Sequence, residues 1–258
     1  MKTKMIKNKT MKIKFVTLFT LTTILMFNFN PVFSQKNGNN LLKKMDNTMF
    51  AIKDKTADIK MVLTNLSNRK EKIKLATIIQ KDANKKIFRY TYPKVDSGIA
   101  TLSLPNNEIY LYLPLFKKPK KITSIAEGNT FNQSDFSVED MATKKYSEKY
   151  LATLTGSNDS AYILKLTPKS PDTQYSYLTL FLNKKFFYPE KFEFYNLKGR
   201  KVKESVFHFI KIDGYWVSDK VSMINLKKKH STSIIMTNIK INQGLKDTLF
   251  TVDNLAGK

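Results

Sequence analysis

The sequence predicts a mainly β protein of the α+β class, in which one curved antiparallel sheet of eleven to thirteen strands wraps over two helical pieces. Three observations lead to this prediction. From Ala57 onward, apolar residues alternate with polar ones in most segments, which is the pattern of half-buried strands. Turn-forming residues separate nearly all of these segments. A long helical spacing of apolar residues is clear only before Ala57.

The first 34 residues have the three parts of a secretory signal. Six lysines lie between Lys2 and Lys14, and an apolar run of about 13 residues follows from Phe15 to Phe27. This run is shorter than the roughly 20 residues that a membrane-spanning helix needs, so a cleaved signal is favoured over a retained anchor. We place the cleavage site after Ser34, which predicts an exported, mature chain that begins at Gln35.

One amphipathic helix of about three turns is predicted after a polar, flexible lead at residues 35–40. Its apolar residues recur at spacings of three and four: Leu41, Leu42, Met45, Met49 and Ile52. The apolar stripe must be buried against the sheet, while only the C-terminal end of the helix continues directly into a strand. We therefore expect this helix to be a movable lid that is tethered at one end.

Alternation of apolar and polar residues predicts the strands. The segments are 57–63, 73–79, 85–92, 99–104, 109–113, 150–154, 162–166, 175–182, 192–194, 202–212, 215–224 and 231–241, with a further strand that ends near Ile125. Short links join only antiparallel neighbours, so we expect one continuous meander. No fixed-period repeat or Pro/Gly/Ser-rich linker divides residues 35–258, which predicts a single mature domain.

The segment 132–141 interrupts the meander. Ser137 and Asp140 stand at the spacing of a capping box, which predicts a short helical turn. At residues 206–210, both alternating sets of side chains are large and mostly apolar, so both faces of the sheet need a cover. A curved sheet that wraps over the N-terminal helix and this turn meets that requirement.

Composition and motifs exclude several classes of function. The chain has no cysteine, which excludes disulfides, thiol nucleophiles, cysteine-ligated metals and lipid anchors on cysteine. It has no nucleophile elbow, no phosphate-binding glycine loop and no zinc-protease motif. We interpret His208 as a packed, hydrogen-bonded strand residue and His230 as part of a solvated turn. The sequence thus predicts no catalytic site and no cofactor, and favours a protein that is not an enzyme.

The charged residues narrow the choice of partners. The formal net charge is +24, and removal of the six signal lysines and no acidic residue leaves +18. Only three of the 45 basic residues are arginine, the side chain that nucleic-acid readers favour, so no nucleic-acid partner is expected. The lysine runs 117–121 and 227–229 lie at predicted strand ends, where lysine blocks edge-to-edge aggregation. Attraction to anionic lipid headgroups or acidic cargo is the functional alternative.

The densest group of carboxylates does not predict a metal site. It consists of Asp135, Glu139 and Asp140. Acidic residues at the start of a helical turn are explained by capping and by the helix dipole at least as well as by a divalent cation.

Several segments, taken in their order along the chain, resemble one protein family. Its central strands are similar to the runs 88–93, 98–104, 108–114 and 120–122. Its most recognisable motif, serine–aspartate–phenylalanine followed by glutamate–aspartate and an apolar residue, is similar to 134–141, and its closing strand to 237–242 with Phe250, Thr251 and Leu255. The family is that of the outer membrane lipoprotein-sorting proteins, bacterial periplasmic carriers of the LolA-like superfamily. Gln133 departs from the motif, which has glycine before the serine.

The resemblance implies a fold and a function. The fold is an unclosed barrel of about eleven strands over lid helices, and the function is a periplasmic carrier, expected to be monomeric, that shields the acyl chains of lipoproteins or lipids. It implies transfer partners at the inner and outer membranes. Shielding needs no catalytic group, because burial of each methylene contributes roughly 0.8 kcal/mol. An exported binding or adhesion module with a filled core is the alternative.

The resemblance also assigns candidate residues. The candidate cavity lining is Leu42, Met45, Met49, Phe88, Tyr90, Tyr92, Leu102, Leu111, Leu113, Leu164, Phe192 and Phe194. Arg89 is the candidate for a polar residue at the cavity, and the lid motif is Ser134, Asp135, Phe136, Glu139 and Asp140. For each lining residue, ordinary core packing is the competing interpretation.

Overall fold

The computed structural model describes residues 31–105, 108–122, 133–141 and 144–256. The helices are α1 (Pro31–Met49), α2 (Val138–Met141), α3 (Tyr146–Lys149) and α4 (Val252–Leu255). None of the described helices is long and apolar enough to cross a membrane. Most of the predicted signal lies outside the described residues.

The strands of the described chain cover most of the segments where alternation predicted them, and the strand end expected near Ile125 lies outside the described residues. They are β1 (Asp54–Asn65), β2 (Glu71–Lys81), β3 (Lys85–Tyr92), β4 (Ala100–Leu104), β5 (Glu108–Tyr112), β6 (Lys120–Ile122), β7 (Tyr150–Ser157), β8 (Ala161–Pro168), β9 (Tyr175–Asn183), β10 (Pro189–Asn196), β11 (Lys201–Ile212), β12 (Tyr215–Asn225) and β13 (His230–Ile241). All thirteen belong to one antiparallel sheet that is not closed into a barrel.

The sheet consists of two meanders, so the prediction of one continuous meander is wrong. The strand order is β6-β5-β4-β3-β2-β1-β13-β12-β11-β10-β9-β8-β7. After β6 the chain passes to the opposite edge and returns strand by strand until β13 pairs with β1, with Lys55 opposite Ile241 and Asn65 opposite His230. The interruption that the sequence indicated is therefore the crossover between the two edges.

Helix α1 begins earlier than predicted, and the segment 35–40 is helical rather than a flexible lead. Its first half runs close along β7. A Cβ atom on Gly38 would lie 2.3 Å from the carbonyl oxygen of Ala152, so only glycine permits this approach. Contact with the sheet, rather than an apolar pattern, accounts for the additional helical turns.

The two faces of the sheet carry two apolar clusters. The larger cluster includes Phe88 and Tyr90 of β3 together with Leu42 and Met45 of α1. Since neighbouring residues of a strand point to opposite faces, Ile87 lies on the other face. There it forms the smaller cluster with residues that include Leu102, Phe250 and Leu255.

The end of the chain covers this smaller cluster, which we call the outer cluster. The predicted closing strand is confirmed as far as Ile241 in β13, but Thr251 caps α4 and Leu255 is a helical residue within it. The tail beyond β13 is therefore a cover for the outer face of β3 and β4.

Candidate functional site

The inner face of the sheet presents an apolar wall to the helices, and Tyr146 of α3 stacks on one of its rings, Phe192, with centroids 5.0 Å apart. We call this set the inner wall: Met61 of β1, Phe88 and Tyr90 of β3, Leu164 of β8, and Phe192 and Phe194 of β10. Each of these side chains is at most 5% exposed. Ring contacts link neighbours within it: Phe88 and Tyr90 meet edge to face with centroids 5.0 Å apart, and Phe192 and Phe194 are tilted at 6.2 Å. Leu42 and Met45 of α1 belong to the same cluster and are fully buried.

Eight of the predicted lining residues come together in this cluster. They are Leu42, Met45, Phe88, Tyr90, Leu164, Phe192 and Phe194, with Met49 packed against them as a partly buried neighbour. Their assignment to a ligand site stays a prediction.

The other four predicted lining residues lie elsewhere. Leu102 pairs with Ile87, so it faces the outer cluster and its placement on the inner wall is wrong. Tyr92 is 52% exposed, next to an irregularity in the pairing of β2 with β3. Leu111 and Leu113 are half-buried near the β6 edge. Strand register decides these positions, and the alternation of a single strand does not reveal which of its faces turns inward.

Hydrogen bonds along the length of α1 fasten it to the sheet and to α3. Ser34 Oγ donates to the carbonyl of Leu154 at 2.5 Å, and Asn39 Oδ1 accepts from the backbone N–H of Ala152 at 2.8 Å. Near the other end, Thr48 Oγ1 donates to the carbonyl of Phe186 at 3.2 Å. The expectation of a tether at one end only is therefore wrong.

Asp46 joins α1 to α3. Its buried carboxylate accepts from the backbone N–H groups of Tyr146 at 2.9 Å and Ser147 at 2.8 Å. These are N–H groups at the start of α3, which have no partner within the helix. The Asp46 side chain of α1 thus caps the start of α3.

The predicted capping box is confirmed at the start of α2. The backbone N–H of Ser137 donates to Asp140 Oδ2 at 2.7 Å, and the N–H of Asp140 donates to Ser137 Oγ at 3.1 Å. Gln133 has a φ of 64°, the left-handed conformation that favours glycine. The residue that departs from the family motif therefore keeps the backbone conformation that glycine adopts readily.

Asp140 also forms a buried ion pair with the sheet. Lys203 Nζ of β11 lies 3.0 Å from Asp140 Oδ2, and both side chains are less than 10% exposed. The hydroxyl of Tyr175 donates to Asp140 Oδ1 at 2.8 Å and accepts from Lys203 at 3.2 Å. Burial, with the nearby Asp140 charge second, raises the pKa of Tyr175, so the phenol stays protonated as a donor.

The other two carboxylates of the lid motif bind different strands or turns. Glu139 accepts from the hydroxyl of Thr173 and from the backbone N–H of Gln174. Asp135 Oδ2 accepts from the hydroxyl of Thr232 at 2.7 Å and lies 2.6 Å from His230 Nδ1. The predicted lid motif is thus a densely hydrogen-bonded segment, with Ser134, Asp135 and Phe136 buried.

Both histidine interpretations need correction. His230 is partly buried against Asp135 instead of lying in a solvated turn. His208 is hydrogen-bonded to Asp219 at 2.6 Å as expected, but its side chain is 65% exposed rather than packed. Among the described residues, no group of three or more acidic or histidine side chains is arranged to hold a metal ion.

Lys203 and Lys149, and not Arg89, are the lysine or arginine side chains of the described chain that contact the lid motif. Arg89 lies next to Phe88 on the strand and faces the other way, where it donates to the carbonyl of Leu255 at 2.9 Å. It fastens the tail, so its candidate role at the cavity is wrong. No site role was predicted for Lys203 from the sequence. Along β11, every second residue faces the same side of the sheet, and Lys203 shares that side with the buried residues Ser205 and Phe209. This spacing could have indicated that Lys203 points inward.

Little free space remains between the helices and the sheet near the lid motif. A pocket of about 20 Å³ lies there, lined by residues that include Glu139, Tyr146, Leu178 and Phe194. Ligand pockets commonly measure about 300–1,000 Å³. Burial raises the pKa of Tyr146 and lowers that of Lys149 beside this pocket. The inner-wall side chains are themselves at most 5% exposed, so an acyl chain could contact them only by displacing the residues that cover them.

Comparisons with known proteins support the architecture. A protein-family model described as "Uncharacterized protein" matches residues 82–257. No curated protein sequence matches the chain significantly. Among solved structures, a domain described as an outer membrane lipoprotein-sorting protein from Vibrio parahaemolyticus is 23% identical with a TM-score of 0.78, covering 86% of this chain and 99% of that one.

Two further solved structures have the same architecture. A DUF1329 family protein from Desulfovibrio piger is 23% identical with a TM-score of 0.79, covering 86% of this chain and 99% of that one. A LolA superfamily protein from Nitrosomonas europaea is 22% identical with a TM-score of 0.69, covering 84% and 98%. At these identities the likeness establishes a shared fold.

Proposed function

Because the chain belongs to the family whose model matches residues 82–257 and has the fold of lipoprotein-sorting and LolA-superfamily proteins, we propose that it is a non-enzymatic, exported carrier. In this proposal it binds the acyl chains of lipoproteins or lipids in the periplasm and shields them during transfer toward the outer membrane. The observation that supports the proposal is the inner wall. It is an apolar surface of the sheet, and residues of helices rather than of a second sheet pack against it.

An acyl chain can compete with α1 for the inner wall. Burial of about fifteen methylenes contributes roughly 12 kcal/mol at 0.8 kcal/mol each. Displacement of α1 exposes Leu42 and Met45, at a cost of about 1.5–3 kcal/mol per side chain. It also breaks the partly buried hydrogen bonds of Asn39 and Thr48, which water can replace, and it separates the Asp46 carboxylate from the N–H groups of α3 unless α3 moves with α1. The free energy gained by burial of the acyl chain therefore exceeds the cost of exposing Leu42 and Met45.

The lid motif is the poorer candidate for movement. Lifting it would separate Asp140 from Lys203 within a buried environment, and an isolated buried charge is costly. We therefore propose that α1 opens while α2 stays on the sheet. Tyr90 and Phe88 then lie on the wall that the acyl chain contacts.

The direct test is analysis of the protein as it leaves the cell envelope. The mature chain, secreted with its own signal, is purified without detergent and extracted for lipid mass spectrometry, and its N-terminus is sequenced. We expect Gln35 at the N-terminus and near-stoichiometric diacyl or triacyl species. An intact Met1 would contradict export, and a lipid-free protein that also fails to bind a fluorescent fatty acid would contradict the carrier.

A matched pair of glycine variants tests whether α1 is the moving cover. Gly38→Ala places a methyl group 2.3 Å from the Ala152 carbonyl and should push α1 away from β7. Gly156→Ala adds the same methyl on β7, where no atom lies within 4 Å. We expect Gly38→Ala to change fatty-acid affinity at least fivefold while Gly156→Ala leaves it unchanged. Equal affinities in both variants would show that α1 does not gate the wall.

The contact of the inner wall with its covers favours a second candidate, an exported binding module with a filled core. In that case the protein would bind no fatty acid, and Gly38→Ala would only lower stability. The two candidates therefore differ in one measurement, the binding of a fluorescent fatty acid to folded wild-type protein.

A further inference from the structure

Five turns at one end of the sheet each expose an apolar side chain. In antiparallel meanders alternate turns lie at the same end, which brings together the turns 66–70, 93–99, 113–119, 197–200 and 226–229. A sixth turn, 169–174, lies at this end as well and carries no large apolar side chain. We call this end the basic end. Its exposed apolar residues are Leu66, Val95, Leu115, Phe116, Leu197 and Leu226. Val95 and Leu115 are 84% and 85% exposed, the two highest values among the exposed large apolar residues of the described chain.

Neighbouring turns of the basic end are in contact with one another or with adjacent strands. The backbone N–H of Leu66 donates to the carbonyl of Lys229 at 2.8 Å, and that of Leu226 donates to Val202 at 3.0 Å. Gly98 lies so close to Pro114 that a Cβ atom there would be 3.0 Å from the proline ring. The apolar side chains therefore project from one row of linked turns.

The same turns are strongly basic. The five turns with exposed apolar residues contain ten lysines or arginines and one acidic residue, Asp96, which is paired with Lys74 at 2.9 Å, and the turn 169–174 adds one lysine and one aspartate. Two of the three arginines of the chain, Arg69 and Arg200, lie here. The fully described turns at the other end are 82–84, 158–160, 184–188 and 213–214, and they carry three aspartates and two lysines. The positive charge is thus concentrated at the end that exposes single apolar side chains.

We propose that the basic end is a docking surface for a lipid bilayer with anionic headgroups. Lysines at a bilayer surface are attracted by its negative potential, and short apolar side chains between them enter the interfacial region. The combination fits a bilayer better than nucleic acid, because base stacking uses aromatic residues and only Phe116 is aromatic among the exposed side chains of these turns. The surface contains no residue of the inner wall, so the proposal does not depend on acyl-chain binding.

Sedimentation with vesicles tests the charge. The mature chain is mixed with vesicles of phosphatidylethanolamine and phosphatidylglycerol, or of phosphatidylcholine alone. The variant Lys94→Gln/Lys118→Gln/Lys198→Gln/Lys227→Gln removes one exposed lysine from each of four turns. The control Lys60→Gln/Lys211→Gln/Lys220→Gln/Lys240→Gln removes the same charge from exposed strand positions. We expect at least a tenfold loss of binding to anionic vesicles in the first variant and less than a twofold loss in the control.

Insertion of the apolar side chains is tested by fluorescence. The single tryptophan, Trp216, lies at the opposite end of the sheet and serves as an internal control. We expect Phe116→Trp to add an emission that shifts to the blue and is quenched by brominated acyl chains in anionic vesicles, while Trp216 in the wild type is not quenched.

Three results would overturn the proposal. They are equal losses of binding in the two lysine variants, equal binding to phosphatidylcholine, and an added emission in the Phe116→Trp variant that brominated lipid leaves unchanged. Binding of DNA or an acidic polypeptide through the same lysines without any vesicle binding would assign the surface to a different partner. Failure of fatty-acid binding with intact vesicle docking would contradict only the carrier.

Discussion

The two covers of the inner wall are attached to it by different physical means. Helix α1 contacts the wall through apolar side chains such as Leu42 and Met45, and its hydrogen bonds, including those of the buried Asp46 carboxylate to α3, go to backbone groups. The lid motif adds Phe136 to the same apolar cluster, but it contacts the sheet above all through the buried pair of Asp140 and Lys203. An apolar side chain can exchange one apolar partner for another at little cost. Separation of a buried ion pair is costly, because it leaves an unpaired charge in the protein interior.

This difference indicates which part of the molecule a lipid can displace. A hydrocarbon chain offers the inner wall the same kind of contact that α1 provides, so α1 and a ligand compete on equal terms. It offers nothing to Lys203 in exchange for a carboxylate. Four predictions test the comparison, in decreasing order of the expected effect.

Removal of the carboxylate from the polar cover should have the largest effect. Asp140→Ala leaves Lys203 and Tyr175 buried without their acceptor and also removes one half of the capping box. We expect a loss of about 3–5 kcal/mol in the free energy of unfolding, measured by denaturant titration. The double variant Asp140→Ala/Lys203→Met should recover much of this loss, and no recovery would show that the capping box, rather than the ion pair, fastens the segment.

Truncation of the apolar cover should cost less. Met45→Ala removes a fully buried side chain, for which we expect about 2–4 kcal/mol, while Met49→Ala removes a half-buried one and should cost about 1 kcal/mol. Both variants are measured by denaturant unfolding. A negligible effect of Met45→Ala would mean that α1 is undocked in solution, which would undo the distinction between the two covers.

A lysine of β1, Lys55, tests the cost of a charge that is buried in the fold. Burial lowers the pKa of Lys55 to about 8, whereas Lys203 has a carboxylate within 3.0 Å. Below pH 8 the folded protein therefore carries the full cost of the buried charge of Lys55. Since the unfolded chain binds more protons between pH 8 and about 10.5, this part of the stability rises with pH in that window.

Replacement of Lys55 by methionine should accordingly stabilise the protein at pH 7, by about 2 kcal/mol. Chemical denaturation from pH 7 to 10 should show the advantage of Lys55→Met shrinking as the pH rises. The exposed neighbour gives a matched control, because Lys53→Met should leave both the stability and its pH profile as in the wild type. Destabilisation by Lys55→Met would contradict the prediction.

The connection between α1 and α3 should give the smallest effect. Asp46→Ala removes the acceptor of two backbone N–H groups at the start of α3, and we expect a loss of about 1–2 kcal/mol. Hydrogen exchange should report the change at Tyr146 and Ser147 before any other part of the molecule. Uniformly faster exchange across the sheet would instead place Asp46 within the global core.

The sequence alone predicted most elements because their signals are local. Alternation placed β3 at its observed bounds, and the spacing of Ser137 and Asp140 predicted the capping box that the structure contains. The burial of Leu42 and Met45 followed from their helical spacing. In each case the pattern of neighbouring residues is sufficient, because a period of two or near 3.6 leaves little choice of conformation.

What the sequence did not determine depends on pairing between distant segments. The closure of two meanders through β1 and β13, the outward face of Leu102 and Arg89, and the pairing of Lys203 with Asp140 all follow from sheet register. A shift of one residue exchanges the faces of a strand, and single-strand alternation is the same in either case. A mainly β chain with an amphipathic helix and a basic surface could be predicted from the amino-acid sequence. The residues that form the inner wall could not, because only the packed sheet brings them to one face.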